Sequence, residues 1–305
     1  MLLLACVCGA PAVAAPRHFV PIAVNYSTEV IQPNATDSCT IVRPWTSVTG
    51  PGSQKYPVII WVNGWDSDVD NDIGGYLPGL IEWAQDGPYV IVADNARNPH
   101  HADAFACAQW IAQQSMTHGS PYFGVTDPTQ MGLAGHSEGG GVVLTDTAIR
   151  ATFQLKGIVA MNPWNWGTGN AIWAQAAAQV SPVFLLGGSK DTTAPVATYT
   201  APGWEDVQTA QRGGIFTVLN GATHDSEAWA PGSSSPDSCD FGRWQLPTTL
   251  WWRRIFHNDT QAGQALLNIL NNVTPVQLVS DCAHYPLGAP VFTSAYQFAG
   301  GFSLP

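Results

Sequence analysis

The chain has 305 residues, of which 45% are hydrophobic and only 11% are charged. This length allows one large domain or two domains of ordinary size. The formal net charge of −11 and the isoelectric point near 4.9 argue against a nucleic-acid-binding protein, because phosphate recognition requires a basic surface.

The first 15 residues predict a secretory signal peptide. Their sequence, MLLLACVCGAPAVAA, is apolar and ends in small residues, as the hydrophobic region and cleavage site of such signals do. The segment is too short to span a bilayer, and no other run predicts a membrane span. No basic residue precedes the apolar run, so we expect the natural start to lie upstream. We expect a secreted protein whose mature chain, residues 16–305, forms a single domain.

The cysteines predict two disulfides in the mature chain. Six cysteines are present, and removal of the signal peptide leaves Cys39, Cys107, Cys239 and Cys282. An even number in a secreted chain favours disulfides, and four cysteines allow three pairings. We favour Cys39–Cys107, which would tie the N-terminal strands to an early helix, and Cys239–Cys282, which would staple the C-terminal segment. Buried free thiols are the alternative.

Strand and helix patterns alternate along the chain. Short apolar runs predict strands, and apolar residues at helical spacing predict helices. Such alternation is typical of an α/β fold in which helices cover both faces of a mostly parallel sheet. The predicted strands are residues 39–44, 56–63, 89–94, a strand from 131 that leads into Ser137, 157–161, 182–186 and 214–219. The predicted helices are residues 77–85, 102–116, a helix after Ser137 and 259–271.

The segment Gly135-His136-Ser137-Glu138-Gly139 matches the G-x-S-x-G pattern. This pattern is typical of the sharp strand-to-helix turn of α/β-hydrolases, which presents a nucleophilic serine above the sheet. A Cβ two residues before or after the serine would collide with the adjoining strand or helix, so both positions require glycine. The alternative is a glycine-rich turn without chemistry.

Two further strand ends carry the partners that a catalytic serine needs. Asp191 follows the strand at 182–186, and His224 follows the strand at 214–219. The order Ser, Asp, His is the order expected for this fold, and ligands bind beyond the carboxyl ends of its strands. The histidine would take the serine proton, and the aspartate would orient the imidazole. The alternatives are a helix cap for Asp191 and a loop position for His224.

Two backbone N–H groups are predicted to form an oxyanion hole. The residue after the nucleophile, Glu138, supplies one donor in this fold. The second donor is expected from a loop after an earlier strand, where Asn63-Gly64-Trp65 stands. We therefore predict the N–H group of Trp65 as the second donor.

The segments around these strand ends resemble the cutinase-like polyester (PET) hydrolases and related secreted esterases of the α/β-hydrolase superfamily. The resemblance covers roughly residues 38–230 and includes the start at Cys39 and the helix with Cys107. It implies an α/β-hydrolase domain. The connection from Pro163 to Ser181 has room for one short helix and not for the large cap that lipases and epoxide hydrolases place over this site, so we expect no large lid. The matching segments are residues 62–65, 135–141, 162–164, 191–196 and 220–224.

The resemblance also implies a substrate groove. Trp164 stands where the family has a tryptophan that stacks on aromatic acyl groups, and Trp65 and Trp166 would line the same groove. Core packing is the alternative for these tryptophans. Two departures add negative charge: Glu138 stands where the family usually has Met or Gln, and Asp225 where polyester hydrolases have Phe. Both negative charges favour small esters as substrates or an acidic working pH.

These observations predict a secreted serine carboxylester hydrolase that acts on esters, including polymeric esters, through an acyl-enzyme. The alternatives are a serine peptidase, amidase or lipase on the same fold, or a binding protein that has lost turnover. We expect a monomer that needs no cofactor. We also expect no metal site, because His100, His101 and Asp103 lack a supporting ligand pattern.

Overall fold

The computed structural model describes residues 26–34, 37–44, 55–66, 75–87, 89–96, 101–164, 181–209, 213–225, 241–271 and 297–299. The predicted signal peptide, the predicted Cys239–Cys282 bridge and Trp166 lie outside these ranges. Among the described residues, no helix has both the length and the apolar character needed to cross a membrane.

A nine-stranded sheet organises the described residues, with strand order β1-β2-β4-β3-β5-β6-β7-β8-β9. The six strands from β4 to β8 in this order pair in parallel. The pairs β1–β2, β2–β4 and β8–β9 are antiparallel. The strands are β1 Tyr26–Ile31, β2 Cys39–Pro44, β3 Tyr56–Val62, β4 Val90–Asp94, β5 Thr126–His136, β6 Leu155–Met161, β7 Val183–Gly188, β8 Gly214–Leu219 and β9 Gln297–Ala299.

Helices cover both faces of this sheet. One buried cluster includes side chains of α1, α6 and α7, and a second includes side chains of α2, α3, α4 and α5. The helices are α1 Leu77–Asp86, α2 His101–Met116, α3 Glu138–Thr145, α4 Thr147–Thr152, α5 Thr200–Thr209, α6 Phe241–His257 and α7 Thr260–Leu270. This arrangement confirms the predicted α/β-hydrolase fold. The β6–β7 connection, residues 165–180, lies outside the described ranges, so the predicted absence of a lid there stays a prediction.

Strand β3 shows how the sequence specifies the two cores. Successive side chains of a strand point to opposite faces of the sheet. Val58, Ile60 and Val62 contribute to the α2 and α3 side, whereas Ile59 and Trp61 contribute to the α1 and α6 side. All five side chains are fully buried. The continuous apolar run of β3 therefore reflects a central strand that is covered on both faces.

Tryptophans dominate the core on the α1 and α6 side. The ring of Trp83 in α1 makes edge contacts with Trp61 of β3 and with Trp244 and Trp252 of α6, with ring centroids 5.8, 6.2 and 6.0 Å apart. Edge-to-face packing is a preferred geometry of aromatic pairs. Helix α6 was not predicted from the sequence, yet its tryptophans complete this cluster.

A disulfide joins Cys39 of β2 to Cys107 of α2, with a Cα–Cα distance of 6.1 Å. The predicted pairing of these two cysteines is therefore present. Both residues are fully buried, so the bridge fastens α2 to the antiparallel part of the sheet from inside the core.

Candidate active site

Three strand ends bring a hydroxyl, an imidazole and a carboxylate together. Ser137 follows β5, Asp191 follows β7 and His224 follows β8. The Ser137 Oγ lies 2.7 Å from His224 Nε2. The His224 Nδ1 lies 2.8 Å from Asp191 Oδ2. Both distances are within hydrogen-bond range, so the three side chains form one continuous relay.

The backbone at Ser137 adopts a strained conformation, with φ of 54° and ψ of −121°. A Cβ built on Gly135 would lie 2.5 Å from the carbonyl oxygen of Gly139. A Cβ built on Gly139 would overlap the carbonyl oxygens of Val62 and Asn63. The two glycines of the pattern thus have the steric role predicted for them, because β5, α3 and the end of β3 approach each other too closely for side chains.

Hydrogen bonds tie the Ser137 backbone to the end of β6. The Ser137 N–H donates to the Met161 carbonyl at 3.0 Å, and the Trp164 N–H donates to the Ser137 carbonyl at 2.8 Å. These contacts hold a backbone conformation that an L-residue rarely adopts. They also explain why the strained turn keeps the hydroxyl aimed at His224.

The two carboxylate oxygens of Asp191 have separate partners. Oδ1 accepts hydrogen bonds from the N–H groups of Thr193 and Ala194, at 2.8 and 2.7 Å. Oδ2 accepts the bond from His224. The side chain of Asp191 is fully buried and that of His224 is 11% exposed. One oxygen therefore fixes the loop after β7, and the other faces the imidazole. The helix cap offered as the alternative for Asp191 is not present, because the next helix, α5, begins at Thr200.

The loop after β3 lies directly against the nucleophile. A Cβ built on Gly64 would lie 3.2 Å from the Ser137 Cβ, so this loop and the serine are in contact. Glu138 is the first residue of α3, and backbone N–H groups at a helix N-terminus point away from the helix. The two predicted oxyanion donors, Trp65 and Glu138, thus belong to segments that flank Ser137.

Asn63 was not predicted as a site residue, yet it fixes the start of the same loop. It is fully buried. Its Oδ1 accepts a hydrogen bond from Trp61 Nε1 at 2.8 Å, and its Nδ2 donates to the Asp94 carbonyl at 2.6 Å. The amide therefore bridges the ends of β3 and β4. No periodicity in the sequence signals such a bridge.

The predicted substrate-binding tryptophans differ in exposure. Trp65 is 48% exposed, while Trp164 is half-buried, and Trp166 lies outside the described residues. The indole of Trp65 is therefore accessible to solvent beside the loop that follows β3. Among the residues that the structure describes, no group of three or more His, Cys, Asp or Glu side chains could hold a metal ion.

His136, inside the nucleophile turn, is almost completely buried. Burial, together with the smaller effect of the neighbouring His224, lowers the pKa of His136 from 6.5 to about 3. The imidazole of His136 is therefore neutral at neutral pH. Its Nδ1 lies 2.7 Å from the Tyr76 hydroxyl and its Nε2 lies 2.7 Å from the His224 carbonyl oxygen.

The sequence profile of the family described as PET hydrolase-like matches residues 90–281 of this chain. This chain belongs to the PET hydrolase-like family. The matched span includes all three side chains of the relay, and it starts at β4.

Curated relatives of this PET hydrolase-like chain include a bis(hydroxyethyl) terephthalate hydrolase and several cutinases. The chain is 24% identical to bis(hydroxyethyl) terephthalate hydrolase of Streptomyces coelicolor over 202 residues, which cover 66% of this chain and 59% of the relative. It is 29% identical to cutinase 1 of Thermobifida cellulosilytica over 140 residues, which cover 46% of this chain and 46% of the relative. It is also 29% identical over 140 residues to a cutinase of Thermobifida fusca, and these residues cover 46% of this chain and 40% of that relative. The chain thus spans about half the length of these relatives.

The geometry of this PET hydrolase-like chain suits nucleophilic catalysis. A serine hydroxyl is a weak nucleophile at neutral pH unless an adjacent base removes its proton. In the relay, His224 Nε2 accepts a hydrogen bond from Ser137, and the N–H on Nδ1 donates to Asp191. An imidazole held in this tautomer can take up the proton, and the carboxylate stabilises the imidazolium that results.

Proposed function

We propose that this protein is a secreted serine hydrolase that cleaves carboxylic esters through an acyl-enzyme. The observation that carries the proposal is the relay of Ser137, His224 and Asp191, with distances of 2.7 and 2.8 Å. Membership of the PET hydrolase-like family supports the same reaction class. In this account Ser137 is the nucleophile, His224 the general base and Asp191 the group that orients the imidazole.

The reaction has two half-reactions. As the Ser137 Oγ attacks the ester carbonyl carbon, His224 takes the hydroxyl proton and then delivers it to the departing alcohol oxygen. The acyl group remains on Ser137. A water molecule then attacks the acyl-enzyme, His224 takes its proton, and the proton returns to Ser137 as the carboxylic acid leaves. Each half-reaction passes through a tetrahedral intermediate with a negatively charged oxygen.

The backbone N–H groups of Trp65 and Glu138 are the proposed donors to that oxygen. Support comes from the contact of the Gly64 loop with Ser137 and from the position of Glu138 at the start of α3. The N-terminus of a helix also favours a negative charge. In other enzymes, removal of one such donor lowers kcat by a factor of roughly 10²–10³.

Esters of aromatic or aliphatic acids, free or within a polymer, are the proposed substrates. The relatives are named for bis(hydroxyethyl) terephthalate hydrolysis and as cutinases. Trp65 offers an exposed indole within the proposed oxyanion loop, and the backbone N–H of Trp164 donates to the Ser137 carbonyl. We assign both indoles, together with Trp166, to the substrate groove. The acidic residues Glu138 and Asp225 favour neutral acyl groups over anionic ones by charge repulsion.

Secretion is part of the proposal. The apolar segment of residues 1–15 ends in small residues, and a disulfide such as Cys39–Cys107 persists in oxidising compartments. We further propose that the mature protein acts as a monomer without a cofactor.

Turnover of matched ester and amide substrates tests this function. We expect hydrolysis of p-nitrophenyl butyrate and of bis(hydroxyethyl) terephthalate, and far slower cleavage of butyryl p-nitroanilide. Comparable turnover of the anilide would favour a peptidase or amidase, and no turnover of any of the three would favour a binding protein. Soluble products released from a film of aromatic polyester would extend the substrate range to polymers.

A further inference from the structure

The main-chain carbonyl of His224 is held by two buried side chains that lie outside the Ser–His–Asp relay. His136 Nε2 lies 2.7 Å from this oxygen. Asn162 Nδ2 lies 3.1 Å from the same oxygen and 3.2 Å from the carbonyl oxygen of Thr223. Both side chains come from the ends of neighbouring parallel strands, β5 and β6. Both side chains contact the main chain of the loop after β8.

The partners of His136 fix its tautomer. A carbonyl oxygen only accepts hydrogen bonds, so His136 Nε2 must carry the proton that is donated to His224. In the neutral ring, Nδ1 is then an acceptor, and the Tyr76 hydroxyl donates to it at 2.7 Å. The hydroxyl oxygen in turn accepts a hydrogen bond from the Gly64 N–H at 3.3 Å. One chain of hydrogen bonds therefore runs from the loop after β3 to the loop of His224.

Asn162 is anchored as firmly as His136. It is fully buried, and its backbone has a positive φ of 41°, which asparagine tolerates better than most residues. Its Oδ1 accepts a hydrogen bond from the Gly188 N–H at 2.6 Å, and its own N–H donates to the Leu186 carbonyl at 2.9 Å. The amide therefore links the ends of β6, β7 and β8.

We propose that His136 and Asn162 are positioning residues that hold the peptide of His224, with the Tyr76 hydroxyl donating to Nδ1 of His136. Two rigid donors on one carbonyl leave the loop after β8 little freedom to turn. The imidazole of His224 consequently keeps Nε2 at Ser137 while Nδ1 faces Asp191. The effect on turnover rests on the proposed function, whereas the tautomer and the two contacts do not.

A matched pair of substitutions separates this role from simple packing. The amide nitrogen of His136→Gln reaches the position of Nε2 and keeps a donor to the His224 carbonyl. The amide of His136→Asn reaches only the position of Nδ1, so it keeps the contact with Tyr76 and loses that donor. Both variants remove the ring, and both leave a neutral polar side chain in the same buried space.

The experiment measures kcat, KM, the thermal midpoint and the rate of labelling by a fluorophosphonate for the full chain and both variants. Misplacement of a catalytic group by about 1 Å costs on the order of 100-fold in rate, so we expect His136→Asn to lower kcat about 100-fold with KM unchanged. We expect the labelling rate to fall in the same proportion. His136→Gln should retain most of the wild-type kcat. Equal kcat values in the two variants would overturn the proposal, whatever their thermal midpoints.

The ¹⁵N resonances of the histidines supply a readout that needs no turnover. We expect His136 to show a proton on Nε2 and no titration at neutral pH. A proton on Nδ1 of His136 would overturn the proposal even if the enzyme is active. A wild-type protein that is neither labelled nor active would instead refute the proposed function, and the tautomer would still decide this inference.

Discussion

Gly139 of α3 lies against the end of β3, where an ideal Cβ on this glycine would lie 2.6 Å from the carbonyl carbon of Val62. The obstacle is backbone, which cannot rotate away as a side chain can. The start of α3 is therefore pressed onto the strand that leads into the proposed oxyanion loop. This contact fixes the distance between that loop and Ser137.

Replacement of Gly139 by alanine should displace this helix start. The added methyl group would overlap the carbonyl oxygens of Val62 and Asn63, so we expect the free energy of unfolding to fall by more than about 3 kcal/mol, at the upper end of overpacking effects. The matched control is Gly157→Ala, whose Cβ would meet the Ile255 side chain at 3.2 Å. We expect a smaller loss there. Urea unfolding checks both variants, and equal losses would contradict this account.

Asp191→Asn isolates the charge of the carboxylate from its role in the loop. The amide oxygen of the variant can still accept from Thr193 and Ala194, as Oδ1 does now. Loss of the charge opposite His224 favours the wrong tautomer of the imidazole, so we expect kcat to fall by roughly 10⁴ with the thermal midpoint little changed. Steady-state ester hydrolysis measures the effect. A variant with wild-type kcat would remove Asp191 from the mechanism.

Asp94 should make stability depend on pH. It is buried at the end of β4, and burial raises the pKa of Asp94 from 3.8 to about 7, with Asp103 and Asp37 adding to the shift and the Ala96 N–H opposing it. The folded state then binds the proton more tightly than the unfolded state. The contribution of Asp94 to the free energy of unfolding is therefore largest below pH 4. It falls by about 1.4 kcal/mol per pH unit as the pH rises from 4 to about 7.

The Asp94→Asn variant tests this dependence because its side chain cannot ionise. The amide oxygen can still accept from the Ala96 N–H, as Asp94 Oδ1 does at 2.8 Å. We expect the variant to gain stability relative to wild type as the pH is raised from 4 to 7. Urea midpoints measured across this range check the prediction. Parallel curves for the two proteins would show that Asp94 does not titrate there.

The Cys39–Cys107 bridge should contribute to stability without contributing to catalysis. It closes a loop with a sequence separation of 68 residues, and a loop of this size predicts a loss of about 4 kcal/mol when the bridge is removed. We expect the double variant Cys39→Ala/Cys107→Ala to unfold at lower urea and to keep the wild-type kcat at low temperature. A lower kcat in a protein that is still folded would show that the bridge acts on the site.

The fold was predictable where local patterns agree with tertiary structure. The continuous apolar run of β3 and the glycines around Ser137 have steric causes that are visible in the sequence. Helix α6 was missed because Pro247 stands in its interior and proline normally breaks a helix. Burial of Trp244, Trp251 and Trp252 overrides that preference. Strand β1 exposes Thr28 and Val30, so its place is set by pairing with β2 and not by a hydrophobic pattern.

The sequence predicts those residues of the candidate site that stand in recognisable motifs at strand ends. Ser137, Asp191 and His224 each follow an apolar strand in the order that the fold requires. The contacts of His136 with Tyr76 and His224 join residues separated by 60 and 88 positions. Such contacts depend on how loops meet above the sheet. From the sequence alone, a histidine in a turn indicates no more than packing. Only the folded structure shows which groups its imidazole contacts.

Labelling with a fluorophosphonate, located by peptide mass spectrometry, tests the central claim most directly. This reagent traps an activated serine and requires no knowledge of the natural substrate. We expect one equivalent of label on Ser137, lost in Ser137→Ala and strongly slowed in His224→Gln. Absence of label from the folded wild-type protein, or label on a different residue, would contradict the assignment of Ser137 as the nucleophile.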